Sequence, residues 1–297
     1  MALFNKKTTL VHHITYMGIM VAINLIFIVL ATYIPFLVFL LVLLLPFASA
    51  IVSYYCKKRY YPIYAIASIG LCFIFNIPDT IFYVIPAVIT GFIIGLLLDK
   101  RIHPFWSVLF TSIVECGLTF AFIPLIDLIG NTNIVHAFLS LFRLESFQYQ
   151  EIITYLFIYF VALLQCIITH YVLLMDIKKI GVEVKTNVHY LTPYIIGLEI
   201  TLILVFIFGI WFVPLGFVFL EISFYFAFLL LVDLILSKKP IVYVLLGILM
   251  TVSFFGFVFS YQRVTTPKGL LLVSLFPLAI CLVSFIKNYL LKCEINI

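Results

Sequence analysis

Residues 100–127 read KRIHPFWSVLFTSIVECGLTFAFIPLID. Two cations open the stretch, and Glu115 is then the only charged side chain until Asp127. The run between them is as long as a bilayer crossing, which takes roughly 20 apolar helical residues to traverse about 30 Å of hydrocarbon. It reads as a transmembrane helix with a cationic anchor at one end and an acid near its middle.

Working outward, the same pattern recurs along the chain. Apolar runs lie near 12–34, 36–55, 61–76, 80–98, 104–129, 151–175, 191–212, 215–236, 240–260 and 269–287. The fold class read from them is all-α, a polytopic transmembrane bundle of about ten spans, or eight to nine if a short hairpin only dips into the membrane. Of the 297 residues 66% are hydrophobic and 10% charged, whereas a soluble domain is nearer half apolar and a quarter charged. Lipid must cover that excess, which excludes an ordinary soluble enzyme or nucleic-acid-binding domain. No small-residue cleavage site follows the first apolar run, which is expected to stay as the first span.

Charge placement gives the orientation. Lys6, Lys7, Lys57, Lys58, Arg59, Lys100, Arg101, Lys178, Lys179, Lys185, Lys238, Lys239, Lys287 and Lys292 fall in one alternating set of connections, and only Arg143, Arg263 and Lys268 in the other. Cationic loops resist translocation, so the larger set is expected in the cytoplasm with both termini. The high Phe, Ile and Tyr usage suggests an AT-rich bacterial genome, hence a bacterial cell membrane. The linker 178–190 divides a six-span module, 1–177, from a four-span module, 191–297. The outer connection 131–150 has helical apolar spacing and reads as an interfacial helix, a gate or a plain linker.

Charges are costly at mid-bilayer, on the order of 2.5–3.5 kcal/mol each by insertion scales. Glu115 and Glu199 are expected near the midplane, and Glu221 about two turns below the outer end of its span. They are candidates for a solute or proton site, with Asn24, Thr119 and Gln165 contributing. The alternative is neutral glutamates hydrogen-bonded between helices for packing. No Lys or Arg falls deep in a span, so these acids lack an evident cationic partner. Asp233 is expected to reach the interface beside Lys238 and Lys239.

Small residues one turn apart, Gly18 with Ala22 and Gly91 with Gly95, allow close helix contact, either internal or with a partner. The six cysteines form no C-x-x-C pair and read as buried small hydrophobes. No zinc-protease, serine-elbow or Walker A motif occurs, and His170 has no serine or cysteine partner by spacing, so no enzyme activity, metal or cofactor is expected.

Thr15-Tyr16-Met17-Gly18-Ile19-Met20-Val21-Ala22, the turn Tyr33-Ile34-Pro35-Phe36, the run Leu45-Pro46-Phe47-Ala48-Ser49-Ala50 and the basic turn Lys57-Lys58-Arg59 resemble the substrate-binding S components of energy-coupling-factor vitamin transporters. The whole chain, six spans plus four, is similar to the YybS-like bacterial membrane proteins. The resemblance implies a solute entering from outside under residues 131–150. It also implies coupling and ATPase subunits as partners, with Gly18 and Ala22 as the docking pair. The four extra spans depart from the six-span pattern. A second form of transport, two inverted five-span units, finds no sequence similarity between the halves, and a non-transporting scaffold or signalling partner is the alternative from another class.

Overall fold

In lipid a backbone can satisfy its N–H and C=O groups only within helices or closed barrels, and apolar runs of this length take the helical solution. A computed structural model describes residues 9–34, 38–130, 136, 140, 150–179, 191–236, 240–261 and 272–295. The 178–190 linker beyond Lys179, the 131–150 connection apart from His136, Ser140 and Gln150, and Lys6, Lys7, Lys185, Lys238, Lys239, Arg143, Arg263 and Lys268 lie outside the described residues.

The described helices are α1 (Leu10–Tyr33), α2 (Val38–Tyr55), α3 (Tyr61–Phe75), α4 (Ile77–Asp99), α5 (Pro104–Gly130), α6 (Gln150–Lys179), α7 (Leu191–Trp211), α8 (Val213–Leu236), α9 (Pro240–Tyr261) and α10 (Leu275–Ile295). There is no strand among the described residues. Six of these helices are long and apolar enough to cross a bilayer: α1, α4, α5, α6, α7 and α8. In α2, α9 and α10 the apolar described stretches are shorter, and α3 at 15 residues reaches only about 22 Å. Exposure is inverted relative to a soluble protein. Ile66 is 73% and Trp211 84% exposed, while Ser49, Ser68, Thr90 and Ser107 are each 0% exposed. Apolar side chains facing outward and hydroxyls facing inward are what a lipid surround selects.

The helices sort into two compact units, Met1–Phe138 with Phe157–Thr186, and Leu139–Leu156 with Asn187–Ile297. In the first, Met20, Ile28, Val52, Tyr64, Val84 and Ile94 form the core. Two contacts fix which helix ends meet. Lys58 Nζ lies 2.9 Å from Asp99 Oδ2, so the Lys57–Arg59 turn shares one end of the unit with the Lys100–Arg101 turn. Thr32 Oγ1 reaches Asp79 Oδ2 at 3.5 Å, which brings the end of α1 to the start of α4 at the other end.

α4 starts at Ile77, three residues before the expected span. Asn76 caps it: its Oδ1 accepts from Asp79 N at 3.0 Å and its Nδ2 donates to Asp79 Oδ2 at 2.7 Å, with Pro78 inside the first turn. A π-turn over Thr80–Val84 follows, immediately before Pro86. Proline has no N–H and crowds the carbonyl four residues back, and the wider turn accommodates both effects. α4 ends in a Schellman motif, with Arg101 N donating to Leu98 O at 2.9 Å and Ile102 N to Leu97 O at 3.0 Å. Arg101 holds the left-handed position at φ 55°, where an L side chain costs about 1–2 kcal/mol. Arg101→Gly is therefore expected to raise stability by about 1 kcal/mol, read as a higher denaturant midpoint; an unchanged or lower midpoint would contradict the strain.

The closest helix pair of this unit joins α2 to α4. A Cβ on Gly91 would sit 2.5 Å from Pro46 O and from Ser49 Cβ, and one on Gly95 would sit 2.5 Å from Ser53 Cβ. Ser53 Oγ also donates to Phe92 O at 2.8 Å and Tyr61 OH to Val88 O at 2.6 Å. Gly91 and Gly95 are thus packing residues against α2, not a docking face for a separate protein. Gly18 differs: it is exposed, and nothing lies within 4 Å of an added Cβ. Ala22, one turn on, is exposed too.

In the second unit Leu198, Leu202, Leu230, Leu234, Ile280 and Val283 form the core. Asp233, expected beside Lys238 and Lys239, has Lys287 of α10 as a partner. Lys287 is 6% exposed, donating to the Asp233 carboxylate and, at 3.2 Å, to the Asp233 carbonyl. The pair joins two helices because α10 passes next to α8.

Candidate ion- or solute-binding site

The site grows from one face of α5. Ser107, Thr111, Glu115 and Thr119 stand four residues apart, the spacing that stacks side chains on one stripe of a helix. Glu115 lies about 17 Å along the α5 axis, close to mid-membrane depth for a helix of this length. It is 4% exposed. Thr90 of α4 donates its hydroxyl to Glu115 Oε2, and the Cys166 thiol of α6 lies within electrostatic range. No cationic side chain contacts it among the described residues.

Toward the Lys100–Arg101 end the stripe continues. The Thr111 hydroxyl donates to Ser107 O at 2.7 Å, and the Thr111 side chain stands beside the Cys166 thiol. Ser107 Oγ lies 3.2 Å from His170 Nδ1. His170 is fully buried, and its Nε2 has no hydrogen-bond partner among the described residues. His103, in the turn before α5, lies within electrostatic range of His170. Its Nδ1 accepts from Phe105 N at 3.2 Å, and burial pushes its imidazole below the ordinary value. Beside the stripe, Ser112 Oγ meets Tyr159 OH at 3.3 Å.

The sequence-derived candidates distribute unevenly. Thr119 is half-buried and bonds the Glu115 backbone carbonyl at 3.0 Å, not its carboxyl. Gln165 is buried at 3% exposure beside Cys166 on α6. Asn24 belongs to a separate cluster: its Nδ2 donates to Tyr64 OH at 2.9 Å and Ser68 Oγ at 3.1 Å, and Ser49 joins Tyr64 at 3.0 Å. Its Oδ1 is buried with no hydrogen-bond partner. Glu221 of the second unit is 8% exposed, with Oε1 likewise without a partner. Glu199 is exposed on α7, which corrects its expected place inside the bundle. The α7 core face runs through Ile195, Leu198 and Leu202, and Glu199 stands at the exposed edge of that face, within electrostatic range of the buried Cys281.

His170 does have a serine partner, Ser107, contributed by another helix 63 residues away, a distance that no local motif reveals. Ser107, Thr111, Thr90 and Cys166 were missed as site residues, although the four-residue spacing through Glu115 was the available signal. Cys56, Cys72, Cys116, Cys166 and Cys281 are buried, as expected of small hydrophobes.

Comparison with models of protein families, with curated proteins and with solved structures gave no match.

Proposed function

We propose that this protein is a multi-pass protein of a bacterial cell membrane, with about ten crossings and both termini in the cytoplasm, and that its first unit binds a small solute or ion at Glu115. The observation that carries this reading is a carboxyl buried at mid-depth of α5 whose described neighbours are a hydroxyl and a thiol rather than a cation. A structural ion pair would supply a counter-charge, as Lys287 does for Asp233. A carboxyl without one is matched to a ligand that brings positive charge or a proton.

Transport is the role that fits such a position, and an S-component-like subunit is its most specific form. The exposed Gly18 and Ala22 face of α1 supports docking of a coupling subunit, with an ATPase subunit supplying energy. The same open face is what favours the second reading, a scaffold or signalling partner that carries no solute.

The test is a thermal-shift screen of the purified chain against water-soluble vitamins, their precursors and monovalent cations. A ligand at about 100 times its Kd stabilises by about 2.7 kcal/mol. That shift is expected in the native chain and lost in Glu115→Gln. Equal shifts in both proteins would remove Glu115 from the site, and no shift from the panel, together with failure of coupling and ATPase subunits to co-purify, would favour the scaffold.

A further inference from the structure

Ser107, Thr111, Cys166 and His170 are each 0% exposed, and Glu115 is 4% exposed. Together they form a polar line about 12 Å long between α5 and α6, separate from the Asn24 cluster of the same unit. Burying that many polar groups costs desolvation that leucine or valine at the same positions would avoid. Adhesion alone does not account for the line, because His170 Nε2 is left without a hydrogen-bond partner among the described residues. Each member from His170 to Glu115 can both accept and release a proton, and at its outer end His103 stands in the turn that follows Lys100 and Arg101.

We propose that this line is a proton pathway joining Glu115 to the Lys100–Arg101 end of the first unit, and that the ion exchanged at Glu115 is a proton. The proposal rests on Glu115 being a binding position. A proton reaching Nε2 converts His170 to imidazolium, and the proton on Nδ1 leaves to Ser107 Oγ, which lies 3.2 Å away. A hydroxyl or thiol that gains a proton on a lone pair releases its own to the next acceptor, and the Glu115 carboxylate ends as a carboxylic acid. One N–H, O–H or S–H bond breaks for each that forms, and no other reactant is consumed. The groups facing Glu115 are Thr90 from α4 and Cys166 from α6, with Cys116 beside it on α5. Those facing His170 are Ser107 and His103.

Dicyclohexylcarbodiimide tests the route. It dissolves in bilayers and adds to the protonated form of a buried carboxyl, leaving a mass tag on the residue. The full chain is reconstituted in sealed vesicles, one face is acidified at a time, and labelling at Glu115 is read by peptide mass spectrometry. Acidifying the Lys100–Arg101 face is expected to raise labelling about tenfold per pH unit while the carboxyl is mostly ionised, and acidifying the opposite face is expected to leave it unchanged. His170→Phe and the milder Ser107→Ala are each expected to abolish the response, with labelling at Glu221 in the second unit unaffected as the check on folding. Labelling that follows the opposite face, or a native response retained in both variants, overturns the pathway and leaves the binding position standing. A Glu115 that resists the reagent at every pH overturns both.

Discussion

Gly91→Leu is expected to destabilise the first unit by about 3 kcal/mol or more, the upper end for overpacking a tight contact. Even the first added carbon would sit 2.5 Å from Pro46 O and 2.5 Å from Ser49 Cβ. Neither atom is the free end of a flexible chain, so α2 and α4 must separate. In lipid there is no hydrophobic drive to bring them back, since association between helices depends on close van der Waals approach. Separation would also loosen the Ser53 bond to the Phe92 carbonyl of α4. Gly18→Leu is the matched control. Nothing lies within 4 Å of its added Cβ, and its effect is expected within about 0.5 kcal/mol. Denaturation of both variants in mixed micelles, followed by circular dichroism, measures the difference; equal midpoints would refute the packing assignment.

Asp233→Leu is expected to cost about 3 kcal/mol. Removing one partner of a buried pair strands the other charge, typically at 3–5 kcal/mol, and the lower end applies because the Asp233 side chain is 32% exposed. Lys287, with a side chain only 7% exposed, has no other carboxylate in contact among the described residues. The double change Asp233→Leu with Lys287→Met removes both charges and is expected to recover most of the loss, since a hydrophobic replacement of a buried pair is often neutral. Unfolding of the two variants by the same titration decides it: a double variant as unstable as the single would mean that packing, not the stranded ammonium, sets the cost.

Helix positions were legible because hydropathy and the bilayer length constrain them together. The run expected at 104–129 is the helix Pro104–Gly130, and that expected at 191–212 is Leu191–Trp211. The start of α4 was not legible from hydropathy, since Asn76, Pro78 and Asp79 are polar or helix-breaking on average and become helix-starting only as a cap. The depth of Glu115 is legible from its position in the run, and Ser107 and Thr111 at four-residue spacing before it mark the face that is buried. Glu199 sits as deep in an apolar run, yet depth says nothing about direction around the axis, and α7 turns it outward. Lys287 was assigned to a loop because it lies near the end of an apolar run, whereas α10 continues to Ile295. The Ser107–His170 contact needed the fold, being a pairing between helices far apart in sequence.

The π-turn at Thr80–Val84 has a bearing on the site some way downstream. A π-turn takes up one surplus residue, so everything after it is set back by about 100° from its phase in a regular α-helix. Thr90 and Gly91 both follow it, and they look in different directions: the hydroxyl toward Glu115 and the bare α-carbon toward α2. The bulge therefore acts as an angular offset that sets two faces of α4 at once. A related chain with a regular α-helix over this segment would have to carry its hydroxyl and its glycine one position earlier to meet the same neighbours.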